Sequence, residues 1–253
     1  MYEHFRPEER PFIDQLKDLH EQVIHFHQER LTDFLDPRQQ DIVFSIIGKD
    51  DDCDLQFFGG ADGCERKRAA LRPSYLSAEP IDWEISLLKA PYSSKFVSIS
   101  HRDVLGALMN TGMVREKFGD ISVDDASFSF ACTKEAETFV RMSLEQVGKV
   151  SVTFEQVDKL NLEKEQWNEI NSLVSSMRLD SVIAAVYGFS RSKAAEAIEK
   201  GIVKVNWRLV DDTAFRVDVG DYLSVRGYGR GKVISQEGIT KKDKIRLVLG
   251  RKK

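Results

Sequence analysis

Between Pro11 and Lys49 the apolar residues recur every three or four positions, with Phe12, Leu16, Leu19, Val23 and Phe26 as the first series. That spacing predicts an amphipathic helix with one stripe turned inward. Asp36-Pro37 predicts the start of a second helix, since Pro at the first helical position gives up only an N–H the helix cannot use. Ile42, Val43, Ile46 and Ile47 supply its apolar face, and Gly48 a stop. The pattern then changes. Asp54 to Phe58 and Arg66 to Arg72 predict two strands around the turn Gly59-Gly60-Ala61-Asp62-Gly63. Residues 1–78 thus read as a small α/β unit.

Residues 79–160 read as a second unit. Phe96 to Ile99 is strand-like, and Val104, Leu105, Leu108 and Met109 mark a helix face. Ile121 to Val123 and Phe128 to Cys132 alternate as strands; Phe139, Val140, Leu144 and Val147 mark another helix face; Val150, Val152 and Phe154 alternate again. Strand-helix-strand-strand-helix-strand is the split βαβ order of ferredoxin-like and RRM-like domains. Phe128 and Phe130 fall on one face of their strand, where they serve either the core or base stacking; the core reading is preferred. Residues 161–176 are charged and predict a helical connector. Residues 177–253 form the last module, its end (Arg251 to Lys253) expected to fray. The fold class is α+β, multidomain.

Composition narrows the function. The 253 residues are 42% hydrophobic and 31% charged, as in folded soluble domains. No apolar run approaches the roughly 20 residues a membrane span requires, and MYEHFRPEERPF lacks the apolar core of a secretory signal. Cys53, Cys64 and Cys132 form no CxxC pair, so reduced thiols and a cytoplasmic location are expected. The net charge of −4 hides an asymmetry: from Asn171 onward there are 17 Lys and Arg against 9 Asp and Glu, while the rest carries 20 against 32. An acidic body joined to a basic module predicts a polyanionic partner for the module.

Within that module, Arg178 opens a helix with Leu179, Ile183 and Val186 inward, and Ser190 predicts the N-cap of a second helix with Ala194, Ala195 and Ile198 inward. Arg191 and Lys193 then lie in a first turn, where cations oppose the helix dipole unless an anion joins them. Gly201 closes the helix, Ile202 to Val205 is a strand, Asn206-Trp207 a turn and Tyr222 to Val225 another strand. The glycines of Arg226-Gly227-Tyr228-Gly229-Arg230-Gly231-Lys232 permit close approach of backbone and cations to phosphate.

RLD, then SR before a small-residue helix, then GIVKVN, then VGDYLSVRG resembles the S4 (αL) RNA-binding domain. The preceding FVSISHRDVLGALMNTGMVREKFGDI resembles YlmH-type S4 proteins of bacteria. This resemblance implies a small N-terminal α/β domain, an RRM-like middle domain and a C-terminal S4 domain. It also implies a non-enzymatic protein bound to rRNA of the large ribosomal subunit, with tRNA or peptidyl-tRNA as a further candidate partner, in ribosome-associated quality control. The RNA face it implies comprises Arg178, Ser190, Arg191, Lys193, Lys200, Lys204, Asn206 and Arg208, extended by Arg226, Arg230 and Lys232. Asp180 is expected to hold a cation in place rather than touch RNA. Trp207 departs from the glycine usual after VN; it is either packed or a stacking platform for an unpaired base.

Other motifs fall short of chemistry. His101-Arg102-Asp103 imitates a kinase catalytic loop, but Leu108 stands where Asn is required. The glycines before Lys232 imitate a phosphate loop one residue short, with Val233 in place of Ser or Thr. His20, His25 and His27 lack metal-site spacing. No catalytic residue, metal or cofactor is expected, and the protein is expected to be a monomer. The rival classes are an RNA-modifying enzyme, of pseudouridine synthase or methyltransferase type, and a protein-interaction scaffold.

Overall fold

The computed structural model describes residues 5–93, 97–162 and 166–252. It divides into two compact units, Met1–Glu163 and Lys164–Lys253.

In the first unit, α1 (Arg10–Phe26) and α2 (Pro37–Ile47) cover an antiparallel sheet of β1 (Arg30–Leu31), β2 (Cys53–Phe58) and β3 (Arg68–Pro73) in the order β1-β3-β2. Asp36 starts α2 with a reciprocal cap: its Oδ1 accepts from the Gln39 N–H at 2.8 Å, and the Gln39 Oε1 accepts from the Asp36 N–H at 2.9 Å. Leu16, Val23, Val43 and Ile47 close on Ala69 and Leu71.

The same unit continues through β4 (Ile85–Pro91), α3 (His101–Asn110), β5 (Phe118–Val123), β6 (Ser127–Thr133) and α4 (Lys134–Ser143). A small hairpin, β7 (Gln146–Val147) with β8 (Val150–Ser151), precedes β9 (Glu155–Gln156). The sheet order β5-β6-β4-β9, antiparallel throughout, is the ferredoxin-like arrangement. Its first strand is Ile85–Pro91, not residues 96–99: Phe96 lies outside the described residues, and Val97 to Ile99 are not strand. Likewise Val150 belongs to the hairpin, and the closing strand comes later, at β9. In α4, Ala136 and Val140 face the core while Phe139 is exposed.

Both faces of this sheet are covered. Leu88, Ala90, Phe128, Phe130 and Cys132 pack under α3 and α4 with Val104, Leu108 and Val140. The rings of Phe128 and Phe130 meet Phe154 edge-on. On the other face Leu87 and Ala131 close against Phe34, Cys64 and Leu160. Gly119 permits that closure, because a Cβ there would lie 2.7 Å from the Phe34 ring and 2.9 Å from the Ala131 Cβ. Guanidinium groups fasten the same junction. Arg66 donates to the Phe34 and Phe118 carbonyls at 2.7 and 3.2 Å, and Arg68 to those of Thr32 and Trp83 at 2.7 and 2.8 Å. The face on which an RRM stacks bases is therefore interior, and Phe128 and Phe130 are core residues.

The second unit comprises β10 (Trp167–Val174), α5 (Leu179–Tyr187), α6 (Arg191–Glu199), β11 (Val203–Val205), β12 (Arg208–Leu209), β13 (Tyr222–Val225), β14 (Gly229–Ile239) and β15 (Ile245–Lys252). They form one antiparallel sheet in the order β10-β15-β14-β13-β11-β12, with α5 and α6 on one face. Leu179, Val182, Ile183, Val186, Ala194 and Ile198 pack there on Val203, Leu223, Val225, Val233, Leu247 and Leu249.

Two expectations are corrected here. The segment expected as a helical connector contains β10, which pairs residue for residue with β15 from Trp167↔Lys252 to Val174↔Ile245. Ile170 and Val174 suit either a helix or a strand by spacing, and the distant partner strand decides. For the same reason Arg251 and Lys252 are not frayed but lie in the ladder. Among the described residues no helix is long and apolar enough to cross a membrane, and no cluster of His, Cys, Asp or Glu suits a metal.

Candidate nucleic-acid interface

Arg178 is the N-cap residue of α5 and Arg191 the first residue of α6. Both turn to one carboxylate. Arg178 Nε donates to Asp180 Oδ1 at 3.2 Å, and Arg191 Nε donates to Asp180 Oδ2 at 3.1 Å. The side chain of Asp180 is only 6% exposed, those of Arg178 and Arg191 40% and 62%. Burial by itself would raise the Asp180 pKa; hydrogen bonds and charge from the two arginines outweigh it and hold the carboxyl below its ordinary value. Asp180 thus holds two cations at the surface, as its expected role required, and supplies the anion that the first turn of α6 lacks. Each guanidinium keeps donors for a further ligand, because one carboxylate cannot engage all five N–H groups of an arginine.

Ser190 caps α6 by accepting from the Lys193 N–H at 3.2 Å. The Lys193 ammonium lies 4.2 Å from the Phe189 ring centre and 5.0 Å from that of Tyr228. These rings meet edge-on at 4.7 Å. Tyr187 supports the pair from inside, its hydroxyl donating to the Gly229 carbonyl at 2.9 Å; burial pushes its pKa up to about 12, so it stays a neutral donor. Arg178, Arg191 and Lys193 are therefore cations aimed by partners rather than loose charges. Phe189 and Tyr228 were not singled out from sequence, although an aromatic directly before the Ser190 cap and another between two glycines were the available signal.

Of the remaining predicted residues, Lys204, Arg230 and Lys232 do not share this surface. Lys200 is paired with Glu196 on α6. Arg208 is exposed on the edge strand β12, and Arg226 in the turn between β13 and β14. The Asn206 amide is used internally: it donates to Asp221 Oδ1 at 2.8 Å and accepts from the Tyr222 N–H at 2.9 Å. Lys204, Arg230 and Lys232 project from the sheet face opposite α5 and α6, as alternation with buried Val203, Val205, Gly231 and Val233 requires. Trp207 stands at the edge of that face, its ring 5.1 Å from Tyr222. Arg178, Arg191 and Lys193 thus lie on the helix side of the module, and Lys204, Arg230 and Lys232 on the opposite face of its sheet.

The imitation motifs have structural roles. Asp103 forms the capping box of α3, its N–H donating to Ser100 Oγ at 3.3 Å and its carboxylate accepting from the Ser100 N–H at 2.9 Å. The glycines before Lys232 turn a hairpin rather than lead into a helix. His20 pairs with Asp50 at 2.7 Å. Cys53 and Cys64 are buried free thiols in separate clusters.

Residues 79–161 match the family model described as "Putative RNA-binding domain in YlmH", and residues 177–222 match that of the S4 domain. The chain is 42% identical over 255 residues to the ribosome-associated protein quality control protein P2 of Bacillus subtilis (strain 168), covering 100% of this chain and 99% of that protein. A solved structure of the cell division protein YlmH from Streptococcus pneumoniae is also similar, at 30% identity and a TM-score of 0.51, over 62% of this chain and 95% of that one.

Proposed function

Because the chain belongs to the YlmH-type family of S4-domain proteins, we propose that it binds structured RNA of the large ribosomal subunit and serves in quality control of stalled complexes. The curated relative is named for that process. The observation that carries the reading is the convergence of Arg178 and Arg191 on Asp180, beside Lys193 on its aromatic pair. Cations held in fixed positions match a phosphate backbone whose spacing is also fixed, and they lose little freedom on binding. Phosphate contacts supply affinity, and the shape of the paired helices supplies selectivity for folded RNA. tRNA or peptidyl-tRNA offers the same backbone chemistry and is the second candidate ligand. The protein acts in this reading as a cytoplasmic, monomeric, non-catalytic binder, and the acidic first unit orients it on the subunit or meets a protein partner.

Co-sedimentation with purified large subunits at two salt concentrations tests this. Wild type is expected to bind in a salt-sensitive manner, and a folded Arg191→Ala/Lys193→Ala variant to bind much more weakly, with its log–log salt dependence shallower by about two units. Equal binding by both proteins would move the docking surface away from α5 and α6.

A further inference from the structure

The sheet of the second unit has a face that α5 and α6 leave uncovered, and it carries a row of aromatic rings. Trp167 lies 5.9 Å from Tyr222, and Tyr222 lies 5.1 Å from Trp207. Trp167 belongs to β10 and Tyr222 to β13, with β15 and β14 between them. The indole reaches that far because it lies across Gly250, where an added Cβ would come within 3.0 Å of Trp167 Cβ. Cations are set into the row. Lys232 Nζ is 4.4 Å from the Tyr222 ring centre and 3.1 Å from its hydroxyl, and the Arg230 guanidinium is 5.7 Å from the Trp207 ring centre. Lys204 and Lys252 project from the same side by register, with Glu169 as the acidic neighbour. A small open recess beside Trp207 is lined by Tyr222, Leu223, Ser224 and Arg230.

The backbone adds an independent sign. Asn206 and Trp207 form the two-residue turn between Val205 and Arg208, and both have positive φ, 46° and 63°. Such turns favour glycine at the second position. A bulky indole there is strained, so the turn itself does not select it; what the indole contributes is its ring on this face.

We propose that this face is a second nucleic-acid site, which stacks unpaired bases of single-stranded RNA on the Trp167–Tyr222–Trp207 row while Lys204, Arg230 and Lys232 neutralise the adjoining phosphates. Rings alternating with cations along one surface are what a single strand requires, since each nucleotide offers one flat base and one negative charge. A duplex keeps its base faces stacked within itself and cannot use such a row. The site rests on the RNA-binding reading of the module but stands on other residues than the arginine pair, so the two separate experimentally.

The test uses the full chain and two labelled probes, a single-stranded oligoribonucleotide of about ten nucleotides and an RNA hairpin, read by anisotropy and tryptophan quenching. Trp207→Gly removes the ring and suits the turn; Trp207→Phe keeps a ring; Arg191→Gln alters the helix side. Trp207→Gly is expected to bind the single strand about 10-fold more weakly and the hairpin normally, Trp207→Phe to stay near wild type, and Arg191→Gln to show the reverse selectivity. Unchanged single-strand affinity in folded Trp207→Gly overturns the proposal, and so does an equal loss on both probes. Wild type binding the hairpin alone removes this site and leaves the helix surface standing. Binding of neither probe removes both.

Discussion

Replacing Asp180 by Asn deletes one charge and almost no volume. The carboxylate accepts from Arg178 at 3.2 Å, from Arg191 at 3.1 Å and from the Ser181 N–H at 2.8 Å. Hydrogen bonds to charged groups contribute about 1.5–3 kcal/mol when desolvated. Here the arginine side chains are 40% and 62% exposed and regain water when released, so each pair belongs near the surface range of about 0.2–1 kcal/mol. Asn retains one oxygen for Ser181. The expected loss is therefore about 1–2 kcal/mol at neutral pH. The pH dependence identifies the cause. The folded Asp180 titrates below its ordinary value of 3.8, so its stabilisation is complete above that value and is lost as pH falls through the lower folded value. Urea unfolding at several pH values, followed by tryptophan emission, measures this, with Trp167 and Trp207 both in the second unit. The deficit of the variant should hold steady from neutral pH to about 5 and shrink below 3.8. A deficit under about 0.5 kcal/mol, or one that persists undiminished in acid, would show that Asp180 does not act through the arginines.

Other consequences are equally direct. Trp207→Gly should be more stable than Trp207→Ala by about 1 kcal/mol, since both lose the ring and only glycine relieves the positive φ; thermal melts giving the opposite order would contradict the assigned strain. Gly119→Ala should destabilise the first unit by about 1–3 kcal/mol, because its methyl meets the Phe34 ring and Ala131 Cβ, both buried; an unchanged melting temperature would mean the junction gives way freely. Burial raises the pKa of Cys53 and Cys64 to about 11 and that of Cys132 to about 12, so native protein at pH 8 should resist alkylation until denatured. Rapid labelling of the native chain, read by mass spectrometry, would refute that burial.

Where short-range spacing sets an element, the sequence reveals it. Leu16 and Val23 mark α1, the Asp36-Pro37 start marks α2, and Ser190 marks the cap of α6. β4 escaped because it is buried on both faces, with Leu87 and Leu88 adjacent and both inward to one layer or another, so alternation is lost. β10 escaped because its partner is the last strand of the chain, and pairing at that separation leaves no local trace. The basic run around Arg66 and Arg68 shows the limit of reading charge alone: these arginines serve carbonyl groups inside the first unit. At the surface, Arg178, Arg191 and Lys193 were legible as cations near helix starts, but the placement of Lys204, Arg230 and Lys232 on the opposite face depends on sheet register. Trp207 was legible as an anomaly, whereas its ring neighbours Trp167 and Tyr222 become visible only once β10 and β13 share a sheet.

The ladder between β10 and β15 also fixes how the second unit responds to pulling. Trp167, at its entry, and Lys252, at its exit, face each other at the same end of the ladder. Tension applied across these two points acts on one pair of hydrogen bonds at a time, like a zipper, instead of shearing all eight residue pairs together. Pulling on β15 from its Lys252 end would open its ladders to β10 and β14 step by step, exposing Leu249 and then Leu247 from the core.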